Sequence, residues 1–190
     1  MSFFKKPVVA IVLSALIIIS SSMLSVNLKL GDECRDIIHG FHDGVVVDGV
    51  LMPSIASQLR IIRGNADEIA YIAGNYGLDT EELTWASDDL RYGLLYSESD
   101  ASYLYYCYEE LLSELRDIES QLSGSSMQTP VSVKDIELLN GYFDEIKSAQ
   151  ELIEISGYNE TVRQFNREQL RFPADFLGEL AGVDFPELFS

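Results

Sequence analysis

Residues 55–76 read IASQLRIIRGNADEIAYIAGNY. Within this stretch Ile55, Leu59, Ile62, Ala66, Ile69, Ala73 and Tyr76 recur at intervals alternating between four and three. An α-helix turns once every ~3.6 residues, so these side chains fall on one stripe. The spacing predicts an amphipathic helix with a buried seam. Gly77 follows as a natural left-handed stop. Pro53, just before the stretch, kinks or restarts the helix there.

Further segments of the same kind follow. Asp79-Thr80-Glu81-Glu82 reads as a new N-terminus, with Asp79 and Glu82 in capping-box spacing. It opens a shorter helix through about Leu95 that carries Leu83, Leu90 and Leu94. From near Ser99, the residues Leu104, Tyr108, Leu111, Leu115, Ile118 and Leu122 keep heptad spacing, the mark of a long helix packed at a shallow crossing angle. Ser123-Gly124-Ser125-Ser126-Met127-Gln128-Thr129-Pro130 breaks the pattern and sets the main linker near 123–133. Ser132 is placed to cap the next helix, three residues before Asp135. That helix begins with Ile136, Leu139, Phe143, Ile146 and Ile153. A second register of Ile155, Tyr158, Val162 and Phe165 carries it on, with Gly157 where the registers shift. Asn140-Gly141 is a hairpin dipeptide, but no alternating pattern flanks it, so the helix reading holds. Four such segments predict an all-α chain folded as an antiparallel four-helix bundle.

The N-terminus differs in kind. Pro7 to Ile19 reads PVVAIVLSALIII, Ser20 to Ser22 follow, and no charge appears between Lys6 and Lys29. That gap is long enough for a helix to cross ~30 Å of hydrocarbon. A cleaved signal peptide would use Lys5 and Lys6 as its basic region and the serines before its cleavage site. An uncleaved anchor would run on through the serines, whose hydroxyls bond back to their own helix. Asp32-Glu33 rules out a lipobox before Cys34. The preferred division is a basic tail over 1–6, a transmembrane helix or uncleaved signal anchor over 7–28, and a bundle domain over 29–171. Residues 31–52 are the least legible, with Gly40, Gly44 and Gly49 among Val45-Val46-Val47 and Val50-Leu51-Met52. Propensity alone allows a strand at 45–47.

Charge separates the same regions. The 190 residues carry a net charge of −18, and 47% of them are hydrophobic. Residues 1–30 hold three lysines and no acid, whereas every one of the 31 acidic residues lies from Asp32 onward. The bias puts the N-terminus in the cytoplasm and the acidic domain outside. The acidic surface repels nucleic acid and anionic lipid, so no nucleic-acid partner is expected. Two cysteines, Cys34 and Cys107, are too few for a disulfide scaffold, and sequence leaves open whether they bridge.

The end of the chain has the form Y-N-x-x-V-x-x-F-N over Tyr158, Asn159, Val162, Phe165 and Asn166, then Phe172-Pro173, then an apolar tail closing on Pro186-x-x-Phe189. This resembles the C-terminal signature of the LemA family, small membrane-anchored proteins with a helical-bundle domain. Leu51-Met52-Pro53-Ser54-Ile55 is similar to a segment of that family's first bundle helix, with Ser54 in place of its usual asparagine. The resemblance implies a retained N-terminal anchor, a four-helix bundle and a helix leaving the membrane directly through 31–52. It implies no established chemistry.

Candidate sites are few. Asp36, His39 and Asp43 share a helical face and His42 lies nearby, a His/carboxylate set that a metal would accept if the helix runs through Gly40. Otherwise these form a juxtamembrane polar turn. Tyr92, Tyr96, Tyr103, Tyr105, Tyr106 and Tyr108 form a cluster. Tyr108 belongs to the core seam, which leaves Tyr103, Tyr105 and Tyr106 as candidates for a partner surface or for packing on the short helix. The pairs Asp88/Asp89, Glu109/Glu110 and Asp144/Glu145 read as solvated bundle faces rather than glycosidase carboxylates. No phosphate loop, catalytic triad order or zinc spacing occurs, so no enzyme activity and no cofactor are expected. Asn159-Glu160-Thr161 is a formal glycosylation sequon inside a predicted helix and is read as helix. Tyr158, Val162 and Phe165 share a core face, while Asn159 and Asn166 share another and are placed to bond neighbouring helices. Residues 172–190, with Phe176, Leu177, Leu180, Val183 and Phe185, form an apolar tail expected to pack on the bundle.

Together these readings describe a single-pass cell-membrane protein at the cell envelope with a non-enzymatic scaffold, adaptor or accessory role. Its partners would be the membrane, through the N-terminal helix, and a protein partner or a second copy. The alternatives are a sensor domain binding a ligand or divalent cation, and an envelope hydrolase.

Overall fold

The computed structural model describes residues 7–47, 49–96, 100–123, 130–171 and 174–190. These form an all-α chain of seven helices: α1 Pro7–Asp43, α2 Ile55–Asn75, α3 Glu81–Tyr96, α4 Ala101–Ser123, α5 Val133–Glu154, α6 Tyr158–Glu168 and α7 Ala174–Ala181. A small antiparallel hairpin, β1 Val46–Val47 and β2 Val50–Leu51, follows α1 with Val46 opposite Leu51. The chain divides into two compact units, Met1–Ile37 with Thr161–Pro186, and Ile38–Glu160 with Glu187–Ser190.

The second unit holds the bundle. Its α2 packs on α3, α4 and α5, and α3 packs on α4. Three neighbours explain why α2 buries more than its seam: Ala56, Ala70 and Ile72 are buried beside Ile55, Leu59, Ile62, Ala66, Ile69 and Ala73. In the same way α4 buries Ala101, Cys107 and Leu112 in addition to its heptad residues. A Cβ on Gly93 would come within 2.8 Å of Leu104 Cδ2, so glycine permits the close approach of α3 and α4.

Polar groups fix the ends. The Ser54 hydroxyl accepts the Ser57 N–H at 3.0 Å, capping α2 directly after Pro53. The Ser132 hydroxyl caps α5 by accepting the Asp135 N–H at 3.1 Å. Tyr76, at the end of α2, donates its hydroxyl to the Asp135 carboxylate at 2.6 Å and accepts the Ser132 N–H at 2.9 Å. These hydroxyl bonds hold the Asp135 carboxyl below the usual carboxylate range. Asn65 on α2 donates to Glu145 on α5 at 3.0 Å.

Two segments differ from expectation. Helix α1 does run on through Gly40, but it stops at Asp43, where Gly44 turns to φ +91°. The hairpin then takes Val46 and Val47, as strand propensity allowed, in place of a helix through 52. The last helix is not continuous either. It ends at Glu154 with Ile155 as its cap, Gly157 adopts φ +77°, and α6 begins at Tyr158. A left-handed residue terminates a helix, so the change of register at Gly157 is a break.

In the first unit, Leu30, Cys34 and Phe165 form a buried cluster with Ile37, Leu170, Val183 and Phe185 against it. Asn27 donates its side-chain amide to the Ala181 carbonyl at 2.9 Å, closing the end of α7. Phe172 and Pro173 of the signature lie outside the described residues.

Candidate functional site

The tyrosines at the start of α4 take three different environments. Tyr108 is buried on the seam, and its hydroxyl accepts the Gln150 side-chain amide at 3.3 Å. Tyr103 is half-buried with its ring edge 3.3 Å from where a Gly93 Cβ would stand. A hydrogen bond to the Cys107 thiol one turn on holds the Tyr103 hydroxyl up at about 12. Burial likewise pushes the Cys107 thiol up. Tyr105 is half-buried, whereas Tyr106 is 63% exposed. Of the three candidates, Tyr106 alone faces freely outward.

Tyr105 and Tyr108 belong to an aromatic pocket in the second unit. Phe189 is its centre, with ring centroids 5.2 Å from Tyr105, 5.6 Å from Tyr108 and 5.6 Å from Phe41. Phe41 also stands edge-on to Tyr158 at 5.3 Å. Such offset and edge-on pairs add roughly 0.5–1.5 kcal/mol each beyond area burial. The backbone of the segment is held as firmly. Asn159 donates its side-chain N–H to the Phe189 carbonyl at 2.9 Å and accepts the Phe189 N–H at 2.8 Å. Tyr158 donates its hydroxyl to the Glu187 carbonyl at 3.0 Å, and burial pushes that hydroxyl up. The Glu187 carboxylate accepts the Ser102 N–H at 3.3 Å and the Ser102 hydroxyl, a negative charge at the N-terminus of α4.

This corrects the reading of Asn159, which grips the end segment rather than a neighbouring helix; Asn166 is exposed. Sequence reasoning named Tyr158, Asn159 and Phe189 but missed Phe41, Ser102 and Glu187. Ser102 lies 85 positions from Glu187, Phe41 lies farther still from Tyr158 and Phe189, and no short-range signal joins them.

The His/carboxylate set does not assemble. Asp36, His39 and Asp43 are exposed, and His42 lies edge-on to Phe41 at 5.3 Å. Among the described residues no three His, Cys, Asp or Glu side chains are gathered as metal ligands. Cys34 and Cys107 are both buried free thiols. Carboxylates do crowd on one face of α3 and α4. Partial burial, then Asp117, Glu82 and Glu110, push the Glu114 carboxyl up.

A second surface joins Tyr92 and Tyr96 of the tyrosine cluster to Trp85, which the sequence reading did not single out. Trp85, Tyr92 and Tyr96 lie at spacings of seven and four on α3, and all three are exposed, Trp85 at 55%. The rings of Tyr92 and Tyr96 lie 4.6 Å apart at a tilt of 41°. The interval of seven from Trp85 to Tyr92 is the signal for this stripe, on the side of α3 opposite its buried seam of Leu83, Leu90 and Leu94.

In α1, every residue from Ile11 to Ser20 is exposed, and Ile17 reaches 67%. It is the one helix among the described residues long and apolar enough to cross a membrane. No protein-family model, curated protein or solved structure matches this chain.

Proposed function

We propose that this chain is a LemA-like single-pass membrane protein whose acidic bundle acts as a non-enzymatic adaptor or scaffold outside the membrane. The observation that carries the reading is the apolar run of α1. Its hydrophobic window has no buried residue. At ~25 cal/mol per Å² of apolar surface, such a run in water carries a penalty that a lipid environment removes. Lys5 and Lys6 on one side and the acids from Asp32 onward on the other favour a cytoplasmic N-terminus.

Two further features support the reading. Ser54 stands where the family carries asparagine and caps α2, a task asparagine performs equally well. The exposed stripe of Trp85, Tyr92 and Tyr96 has the aromatic content that protein-binding surfaces favour.

The test is crosslinking in the native membrane. A photo-crosslinking residue replaces Tyr92 in the tagged full-length chain, and the captured species are identified by mass spectrometry. One repeatable envelope protein, lost when the crosslinker is moved to Asp144, supports the adaptor reading. Recovery of the chain in the soluble fraction after alkaline extraction would remove the membrane reading, and capture of nothing at either position would remove the adaptor role.

A further inference from the structure

Glu187, Leu188 and Phe189 are held the way a peptide is held. Asn159 reads both backbone groups of Phe189, as a neighbouring strand would. Tyr158 takes the Glu187 carbonyl. Phe41, Tyr105 and Tyr108 surround the Phe189 ring, and that ring is 4% exposed. Ser102, at the start of α4, binds the Glu187 carboxylate by its N–H and its hydroxyl. Each receiving group belongs to residues 41–159, so the recognition surface is complete without the segment it holds.

We infer that this pocket is a docking site for an extended Glu-x-Phe segment, filled here by the chain's own residues 187–189 and open to the same motif on a partner protein. The aromatic pocket supplies specificity for phenylalanine, and Asn159 supplies backbone recognition that does not depend on the neighbouring residues. The N-terminus of α4 selects an acidic residue two positions before the phenylalanine. A tethered segment competes at an effective concentration on the order of millimolar. An incoming segment must therefore outcompete the resident one, which makes the resident segment a plug. The inference rests on the adaptor reading for its biological role, not for its chemistry.

The probe is a fluorescent hexapeptide of residues 185–190, FPELFS, followed by anisotropy. Three proteins in detergent micelles are compared: the full-length chain, the same chain ending at Pro186, and the full-length Phe189→Ala variant. The shortened chain is expected to bind the probe at least tenfold more tightly than the full-length chain, with Phe189→Ala between them. Asn159→Ala in the shortened chain, or FPELAS as the probe, should each weaken binding at least tenfold. Equal binding by the full-length and shortened chains would put the probe elsewhere and overturn the inference. Absence of binding by a shortened chain that keeps its helical circular dichroism would overturn it too. Loss of that signal in both variants would make the segment part of the core rather than a replaceable ligand. Peptide binding together with failure to crosslink any partner would keep the site and remove the adaptor role, so the two readings fail separately.

Discussion

Helices α1 and α2 are built from the same aliphatic residues and treat them in opposite ways. From Ile11 to Ile19 each aliphatic side chain of α1 is exposed, whereas Ile55, Leu59, Ile62 and Ile69 of α2 are almost wholly buried. The difference lies in pattern. In α2 the apolar residues alternate with Ser57, Arg60, Arg63, Asp67 and Glu68, so the helix has an inside and an outside. In α1 no charge interrupts the run, and a helix apolar all round needs an apolar surrounding on every side. Apolar content alone therefore says little about where a helix goes; its angular distribution does.

The comparison can be broken most directly at Leu16 and Ile17. Leu16→Arg with Ile17→Arg places two charges in the run, at about 2.5–3.5 kcal/mol each in a membrane interior. The expected outcome is release from the membrane fraction on alkaline extraction with the bundle's thermal unfolding unchanged. A protein that stays in the pellet would show that α1 is not held by lipid. Next in size, Leu59→Ala should cost about 3 kcal/mol in chemical denaturation, since Leu59 is fully buried between helices. The matched change Leu16→Ala should stay within about 0.5 kcal/mol in the same assay. Equal effects would erase the contrast.

Two smaller tests sharpen it by asking what sets the helix ends. Gly44 takes φ +91°, and a Cβ there would stand 2.3 Å from the Met52 carbonyl oxygen. Gly44→Ala should cost about 2 kcal/mol. It should also raise the exchange rate of the Met52 N–H, which bonds Val45 at 2.8 Å. Unchanged exchange would mean that the hairpin does not depend on this turn.

The smallest effect concerns pH. The Asp135 carboxyl is held low, first by the Tyr76 hydroxyl and then by that of Ser132. A depressed folded-state value contributes stability above the unfolded carboxylate value, and this is lost as pH falls through the folded value. Tyr76→Phe should therefore lower stability at neutral pH and flatten its decline in acid, with little difference from the parent at the acid end. Parallel stability curves for the two proteins between neutral and acid pH would show that this bond is not coupled to folding.

Much of the bundle was legible because its signals are local. The seam from Ile55 to Tyr76, the Ser132 cap and the stop at Gly77 each lie within a few residues of what they control, and a helix is closed by bonds four residues apart. The hairpin was only half legible. Val45–Val47 raised the strand, but Asp48-Gly49 between valines, a two-residue turn signal, was passed over. The break at Gly157 was seen as a shift of register. It became a break because Gly157 adopts a left-handed backbone, which residue identity permits but does not compel.

The candidate site was legible in its residues and not in its assembly. By itself the sequence determined an all-α chain, the helices around 55–96 and 101–123, the start of the helix capped by Ser132, and an unbroken apolar segment near the N-terminus. These follow from periodicity, caps and turns, which act over one or two helical turns. The tertiary structure alone decided that Asn159 grips Phe189, that Phe41 and Tyr105 close around it, and that Tyr103 turns towards Cys107 while Tyr106 faces outward. Those contacts join residues far apart in the chain or choose among directions around one helix. Both depend on which helices become neighbours, and packing settles that only when the whole chain folds.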